Sequence, residues 1–147
     1  MDNEYFDFIE NIDDCSKINK KDYILYNNEI YKIKNKNYSV CKNIYYSATF
    51  MCKNIFTNEI DFIKFNLTKN FHKKTIIKND TITKVILKKH NGCIIYIDDL
   101  GFDIMNNDNC NIIHIEKNNL IKLNEIKLND DIIYINYKTY YKIVDYI

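Results

Sequence analysis

Apolar and polar residues alternate in short runs along most of this chain, and polar turns separate the runs. From Asp22 the sequence reads DYILY, then Asn27-Asn28, then EIYKIK. A further strand enters a turn at Lys42, and another leaves it from Tyr45 to Cys52, where Tyr46, Ala48 and Phe50 alternate against Ser47, Thr49 and Met51. Alternation over a few residues marks a half-buried β-strand. Two asparagines between such runs mark a hairpin, because both tolerate the positive φ of a type I′ turn. The turn FTNE and the strand EIDFIKFNL follow. At Asn70 to Lys74 the pattern lapses, which predicts a domain boundary.

Beyond it the chain is again β: TIIKNDTITKVILKK, a turn at His90-Asn91-Gly92, CIIYIDD, a turn at Leu100-Gly101, FDIM, the loop NNDNCN and the strand NIIHI. EKNNLIKLNEIKL spaces Leu120, Leu123 and Ile126 three apart and predicts one short helix. The last stretch predicts two strands around a turn near Lys138-Thr139. Residues 1–14 hold six acidic side chains and little periodicity, and so read as a mobile tail. The expectation is a mainly all-β chain, with a tail (1–14) and two small β-barrels in tandem (15–74 and 75–147).

Composition supports strands over helices, with 28 Ile, thirteen Tyr and eight Phe. The 23 Asn, the two Gly and the absence of Arg and Pro mean that Asn stands where Gly commonly serves a turn and Lys stands where Arg would. Asn enters the left-handed region more readily than other non-glycine residues, so the exchange is physically tolerable. The formal charge is +1, so no global field steers the chain onto nucleic acid. Locally, however, Lys17, Lys20, Lys21, Lys32, Lys34, Lys36 and Lys42 crowd the first block. Tyr38, Tyr45 and Tyr46 flank Lys42 and offer faces for stacking.

Several chemistries drop out. Cys15, Cys41, Cys52, Cys93 and Cys110 contain no CxxC pair, and form neither a zinc pattern nor a disulfide framework. Reduced thiols point to the cytoplasm. No apolar run is long enough to span a bilayer, and the acidic start is wrong for a leader. The N-x-S/T triplets at Asn37, Asn66 and Asn79 are then accidents of an Asn-rich chain. His72, His90 and His114 are scattered, with no metal or nucleophile spacing. Asp98, Asp99, Asp103 and Asp108 do not match an EF-hand. Two glycines exclude a Gly-rich phosphate loop. These patterns point to a binding protein without resident metal or cofactor rather than an enzyme.

With the strands placed, the order of features resembles eukaryotic and archaeal translation initiation factor 5A, the counterpart of bacterial elongation factor P. The family's C-S-x-L-R-K-x-G-[FY] is matched by Cys15-Ser16-Lys17-Ile18-Asn19-Lys20-Lys21-Asp22-Tyr23. Its G-x-P-C-K-I-V becomes Asn28-Glu29-Ile30-Tyr31-Lys32-Ile33-Lys34, and its D-I-F-T-G becomes Asn54-Ile55-Phe56-Thr57-Asn58. In the second block I-x-R-x-D-[FY]-x-L resembles Ile76 to Thr83. Gly92 and Gly101 fall on family turn positions.

The resemblance implies an N-terminal SH3-like barrel followed by an OB-fold. It puts Lys42 at the position the family converts to hypusine, using spermidine and deoxyhypusine synthase. The implied functional loop is Ser39, Val40, Cys41, Asn43, Ile44 and Tyr45 around that lysine. Phosphate contacts are expected from Lys20, Lys21, Lys32, Lys34 and Lys36. The implied partners are the ribosome and tRNA, with no membrane, and the implied state is a monomer or weak dimer. The loop departs from the family's K-T-G-K-H-G-H-A-K, reading Ser39-Val40-Cys41-Lys42-Asn43-Ile44-Tyr45-Tyr46-Ser47 without glycine or histidine. An unmodified paralogue acting as an interaction protein, or a generic RNA-binding module, is the alternative.

Overall fold

A computed structural model describes residues 4–41, 44–70, 75–116 and 126–146. For residues 40–41, 44–46, 67–70, 75–79 and 146 it describes the backbone. The described residues form twelve strands: β1 (Phe6–Ile12), β2 (Tyr23–Tyr26), β3 (Glu29–Cys41), β4 (Ile44–Asn54), β5 (Ile60–Asn70), β6 (Thr75–Asn79), β7 (Ile82–Leu87), β8 (Lys89–Ile97), β9 (Gly101–Asn106), β10 (Ile112–Glu116), β11 (Asp131–Tyr137) and β12 (Tyr140–Tyr146). A short 3₁₀ turn spans Cys15–Lys17. Its start is held by Asp14, whose Oδ1 accepts from Ser16 N at 3.0 Å and Ser16 Oγ at 2.6 Å. The helix expected around Leu120 and Leu123 falls on residues 117–125, outside the described residues. Among the described residues no helix is long and apolar enough to cross a membrane.

Two sheets divide the strands. The first runs β1-β7-β2-β3-β4-β5-β6 and the second β10-β9-β8-β11-β12. β2 to β6 form an antiparallel meander, and β7 returns to pair with β2. The chain separates into the compact units Met1–Ile86 and Leu87–Ile147. Their division therefore falls at Ile86, beyond the lapse at Asn70 to Lys74, because β6 and β7 are hydrogen-bonded into the first sheet. Each unit has its own core. Ile18, Ile24, Ile33, Phe50 and Phe65 lie in the first, and Ile94, Phe102, Ile104 and Ile132 in the second.

Three further expectations are corrected. The acidic start is not a tail: residues 6–12 form β1 beside β7, with Phe6 and Ile12 buried and Thr83 Oγ1 donating to Asn11 Oδ1 at 2.9 Å. EIYKIK and the strand entering the Lys42 turn are one strand, β3. Its register slips between Ile33 and Asn35, so Lys34 is an unpaired bulge residue that breaks the alternation without ending the strand. His90-Asn91-Gly92 is not a turn but lies in the first half of β8.

Gly92 is buried in that strand because its neighbours leave no room for more. A Cβ there would lie 2.5 Å from Ile104 Cγ2 and 3.2 Å from both Met105 O and Tyr134 Cε1. Gly101 opens β9 under the same constraint, since a Cβ would run into the carbonyl oxygen of Ile115 and lie 2.9 Å from Glu116 Cα. Neither glycine has positive φ. Close approach, not conformation, requires them.

The turns instead use side-chain-bearing residues. Asn27 (φ 49°) and Asn28 (φ 61°) make the tight β2–β3 turn, as the sequence predicts. Asn54 and Asn106 each organise a four-residue turn. In one, Asn54 Oδ1 accepts from Phe56 N and Thr57 N, and the turn closes through Asn58 at φ 68°. In the other, Asn106 Oδ1 accepts from Asp108 N and Asn109 N, and the closing residue is Cys110 at φ 60°. The acidic turn at Asp98 is spent on backbone as well, its Oδ1 accepting from Leu100 N and Gly101 N at 2.8 Å each.

Two buried thiols give the first unit a pH dependence. Burial, with Asp14 beside it, pushes the Cys15 thiol up to about 11 from the ordinary 9.0. Burial, with Asp61 nearby, pushes the Cys52 thiol up to about 12. Burial and hydrogen bonding to Glu29 also raise Tyr31. The unfolded chain sheds these protons at lower pH than the folded one. The stabilisation is therefore complete below about pH 9 and is lost as pH rises towards the folded values, by up to about 1.4 kcal/mol per pH unit for each group. Denaturant midpoints should fall between pH 8 and pH 10.5, and fall less in a Cys52→Ala variant. Separately, Gly101→Ala should cost about 1–3 kcal/mol by overpacking the β9–β10 pair, read as a lowered thermal midpoint. Cys110→Gly, which relieves a left-handed residue, should raise it.

Candidate functional site

The longest hairpin of the first unit is β3–β4, and it ends at the lysine singled out by the sequence. Its ladder runs from Tyr31↔Asn54 to Cys41↔Ile44, leaving residues 42 and 43 between the last paired positions. Lys42 and Asn43 lie outside the described residues. Val40 and Cys41 close β3, while Ile44 and Tyr45 open β4; Ser39 is exposed and pairs with Ser47. The stretch Asn37 to Cys41 is extended backbone paired with β4. The ladder skips Tyr46 on both flanks, towards β3 and towards β5. The arms of the hairpin thus carry irregularities at Lys34 and Tyr46, where the strands twist more strongly.

The base of this hairpin is fixed by packing on the core. Phe50 lies 5.3 Å from Phe65, which stacks edge-on against Tyr26 at 5.6 Å. Tyr38 is half-buried against the same cluster. Lys36, opposite Phe50 in the ladder, turns inward with it. Its Nζ donates to the carbonyl oxygen of Ile18 and lies over the rings of Tyr38 at 5.5 Å and Phe50 at 6.0 Å. That ammonium ties the hairpin to the segment after the 3₁₀ turn, with one of its three N–H donors engaged at this part-buried site.

The structure sorts the remaining lysines differently. Lys20 and Lys21 are exposed on the turn before β2, with Lys21 at φ 74°. Lys32 is half-buried over the Tyr23 ring at 5.9 Å. Lys34 is exposed on its bulge, and its proton is held less tightly than usual because of partial burial and the charges of Lys32 and Lys53. Lys53, directly opposite Lys32, is a member of this cluster that sequence reading did not single out. Its position follows from strand parity once the register is known.

In the second unit the buried polar groups are satisfied locally. Asn106 Nδ2 donates to the Tyr134 hydroxyl at 2.7 Å, and Tyr134 stacks with His90 at 5.2 Å. His114 Nδ1 lies 2.7 Å from Asp103 Oδ1 on the exposed face. Among the described residues no group of three or more His, Cys, Asp or Glu side chains is arranged to hold a metal ion.

Two β-units in series, the first a curled sheet with a long β3–β4 hairpin, define an SH3-like barrel followed by an OB-fold, the class the sequence predicts. The particular arrangement is the fold of translation initiation factor 5A. The chain is similar in structure to that factor from Methanococcus jannaschii, with a TM-score of 0.72 at 13% identity over 95% of this chain and 97% of the other. It is also similar to a translation initiation factor 5A family protein from Naegleria fowleri, with a TM-score of 0.60 at 12% identity over 93% and 96% of the two chains. No protein-family model and no curated protein matches by sequence.

Sorting the lysines by geometry gives a direct test. Lys36→Met should cost about 2 kcal/mol by orphaning the Ile18 carbonyl and removing a charged donor. Lys34→Gln, on an exposed bulge, should stay within about 0.5 kcal/mol of wild type. Urea midpoints of the two variants check both values.

Proposed function

We propose that the protein is a translation factor of the 5A type, acting on the ribosome beside the peptidyl-tRNA through Lys42. The observation that carries this reading is the fold match over nearly the full length of both chains. The sequence resemblance supports Lys42, between the last paired residues of the β3–β4 hairpin, as the counterpart of the family's modified lysine. The ribosome would supply the chemistry of peptide-bond formation and termination. The factor's contribution is orientation of a reluctant substrate, a barrier term that positioning alone can lower substantially. A cation at a hairpin end is suited to this, because phosphate-rich surroundings attract it. Extension by an aminobutyl group from spermidine would lengthen its reach and add an amine.

The hairpin reaches this end without the family's glycines. β3 and β4 stay paired up to Cys41 and Ile44, so the approach to Lys42 is made by two hydrogen-bonded arms anchored at Phe50, Tyr38 and Lys36. An anchored arm suits a residue that works by position, since a displacement of an ångström is costly in such a role.

Mass spectrometry of the Lys42 peptide tests the reading, after co-expression with deoxyhypusine synthase and spermidine. An aminobutyl mass gain on Lys42, absent in Lys42→Arg, is the expected result. Ribosome co-sedimentation should fall in Lys42→Ala. An unmodified lysine together with sedimentation indifferent to Lys42 would overturn the proposal.

A further inference from the structure

The outward face of β3, β4 and β5 carries a feature that the hairpin end does not use. Alternation sends Ile33, Phe50, Cys52, Ile63 and Phe65 into the core. The opposite face therefore receives Lys32, Met51, Lys53, Ile60, Phe62 and Lys64. The register brings these together: Lys32 opposes Lys53, Lys53 opposes Ile60, Met51 opposes Phe62 and Thr49 opposes Lys64. Lys34, on its bulge, adds a further cation close to Lys32 and Lys53.

Two properties of this face call for a partner. Among the described side chains of this face every charged one is a lysine, although like charges directly opposite on neighbouring strands destabilise a sheet. Among the described residues neither Lys53 nor Lys64 has an ion pair. Beside them, on β5 opposite Met51, stands Phe62, 69% exposed, with Ile60 on the same face of the strand at 48%. A planar apolar ring flanked by cations on a sheet is a platform for stacking bases while phosphates are neutralised. An acidic protein surface would satisfy the lysines but would leave the ring without a planar counterpart.

We propose that this face binds single-stranded nucleic acid, with a base stacked on Phe62 and the backbone phosphates held by Lys32, Lys34, Lys53 and Lys64. The site is separate from Lys42 and does not rest on the proposed function: RNA affinity and modification of Lys42 are read by different measurements.

Fluorescence anisotropy of a labelled single-stranded oligouridylate, titrated with the full chain over a range of salt concentrations, tests it. Wild type should bind with an affinity that falls as salt rises. Phe62→Ala should weaken binding about tenfold with the salt slope unchanged, and Phe62→Tyr should restore it. Lys53→Gln should lower the slope by about 0.7. Lys127→Gln, the same change of charge on an exposed residue of the second unit, should alter neither. A wild type that does not bind, or binding indifferent to Phe62 and Lys53, would overturn the proposal and leave the face to a protein partner.

Discussion

Between Tyr26 and Glu29 the backbone reverses through two residues of positive φ, and both are asparagines. The same constraint recurs at Asn58, Asn129, Cys110 and Lys138, all left-handed and none glycine. A meander of short strands must turn tightly if its registers are to hold, because a slip of one residue would send each core side chain to the solvent face. Register in turn decides that Phe50 and Lys36 face inward together and that Lys32 meets Lys53. The hairpin end, the anchored cation and the basic face all depend on turns made without glycine.

The two glycines that remain do a different job. They sit where strands press so closely on side chains or a neighbouring backbone that a methyl group has no place. The chain has thus separated two uses of glycine that are usually mixed. Conformational freedom is supplied by asparagine, which can also hydrogen-bond its own turn, as Asn54 and Asn106 do. Absence of bulk has no substitute and keeps the glycine.

This separation also explains what could be read in advance. The Asn27-Asn28 hairpin, β5, the β9–β10 pair and the terminal hairpin were legible, because alternation and turn chemistry agree there. β1 was hidden because acidic residues interrupt its alternation and only Phe6 and Ile12 are buried. The continuity of β3 was hidden by the bulge at Lys34, which breaks period two while the strand runs on. His90-Asn91-Gly92 was read as a turn on composition, and only the packing of Ile104 and Met105 shows why glycine belongs in a strand. Of the candidate lysines, Lys36 could not be recognised as internal, since its partners Ile18 and Phe50 are distant in sequence. Lys53 required the register.

The placement of Asn91-Gly92 within β8 has a chemical consequence. Asparagine followed by glycine is the dipeptide most open to deamidation, because the small neighbour lets the side chain cyclise onto the next amide nitrogen. In the folded chain that pair is extended, Gly92 is buried, and the Asn91 carbonyl accepts from Asn107 N at 2.9 Å. Ring closure needs a backbone that can bend, and this one cannot. The fold therefore shields the chain from a hazard written in its own sequence, and isoaspartate at residue 91 would accumulate as a record of how often the second unit has opened.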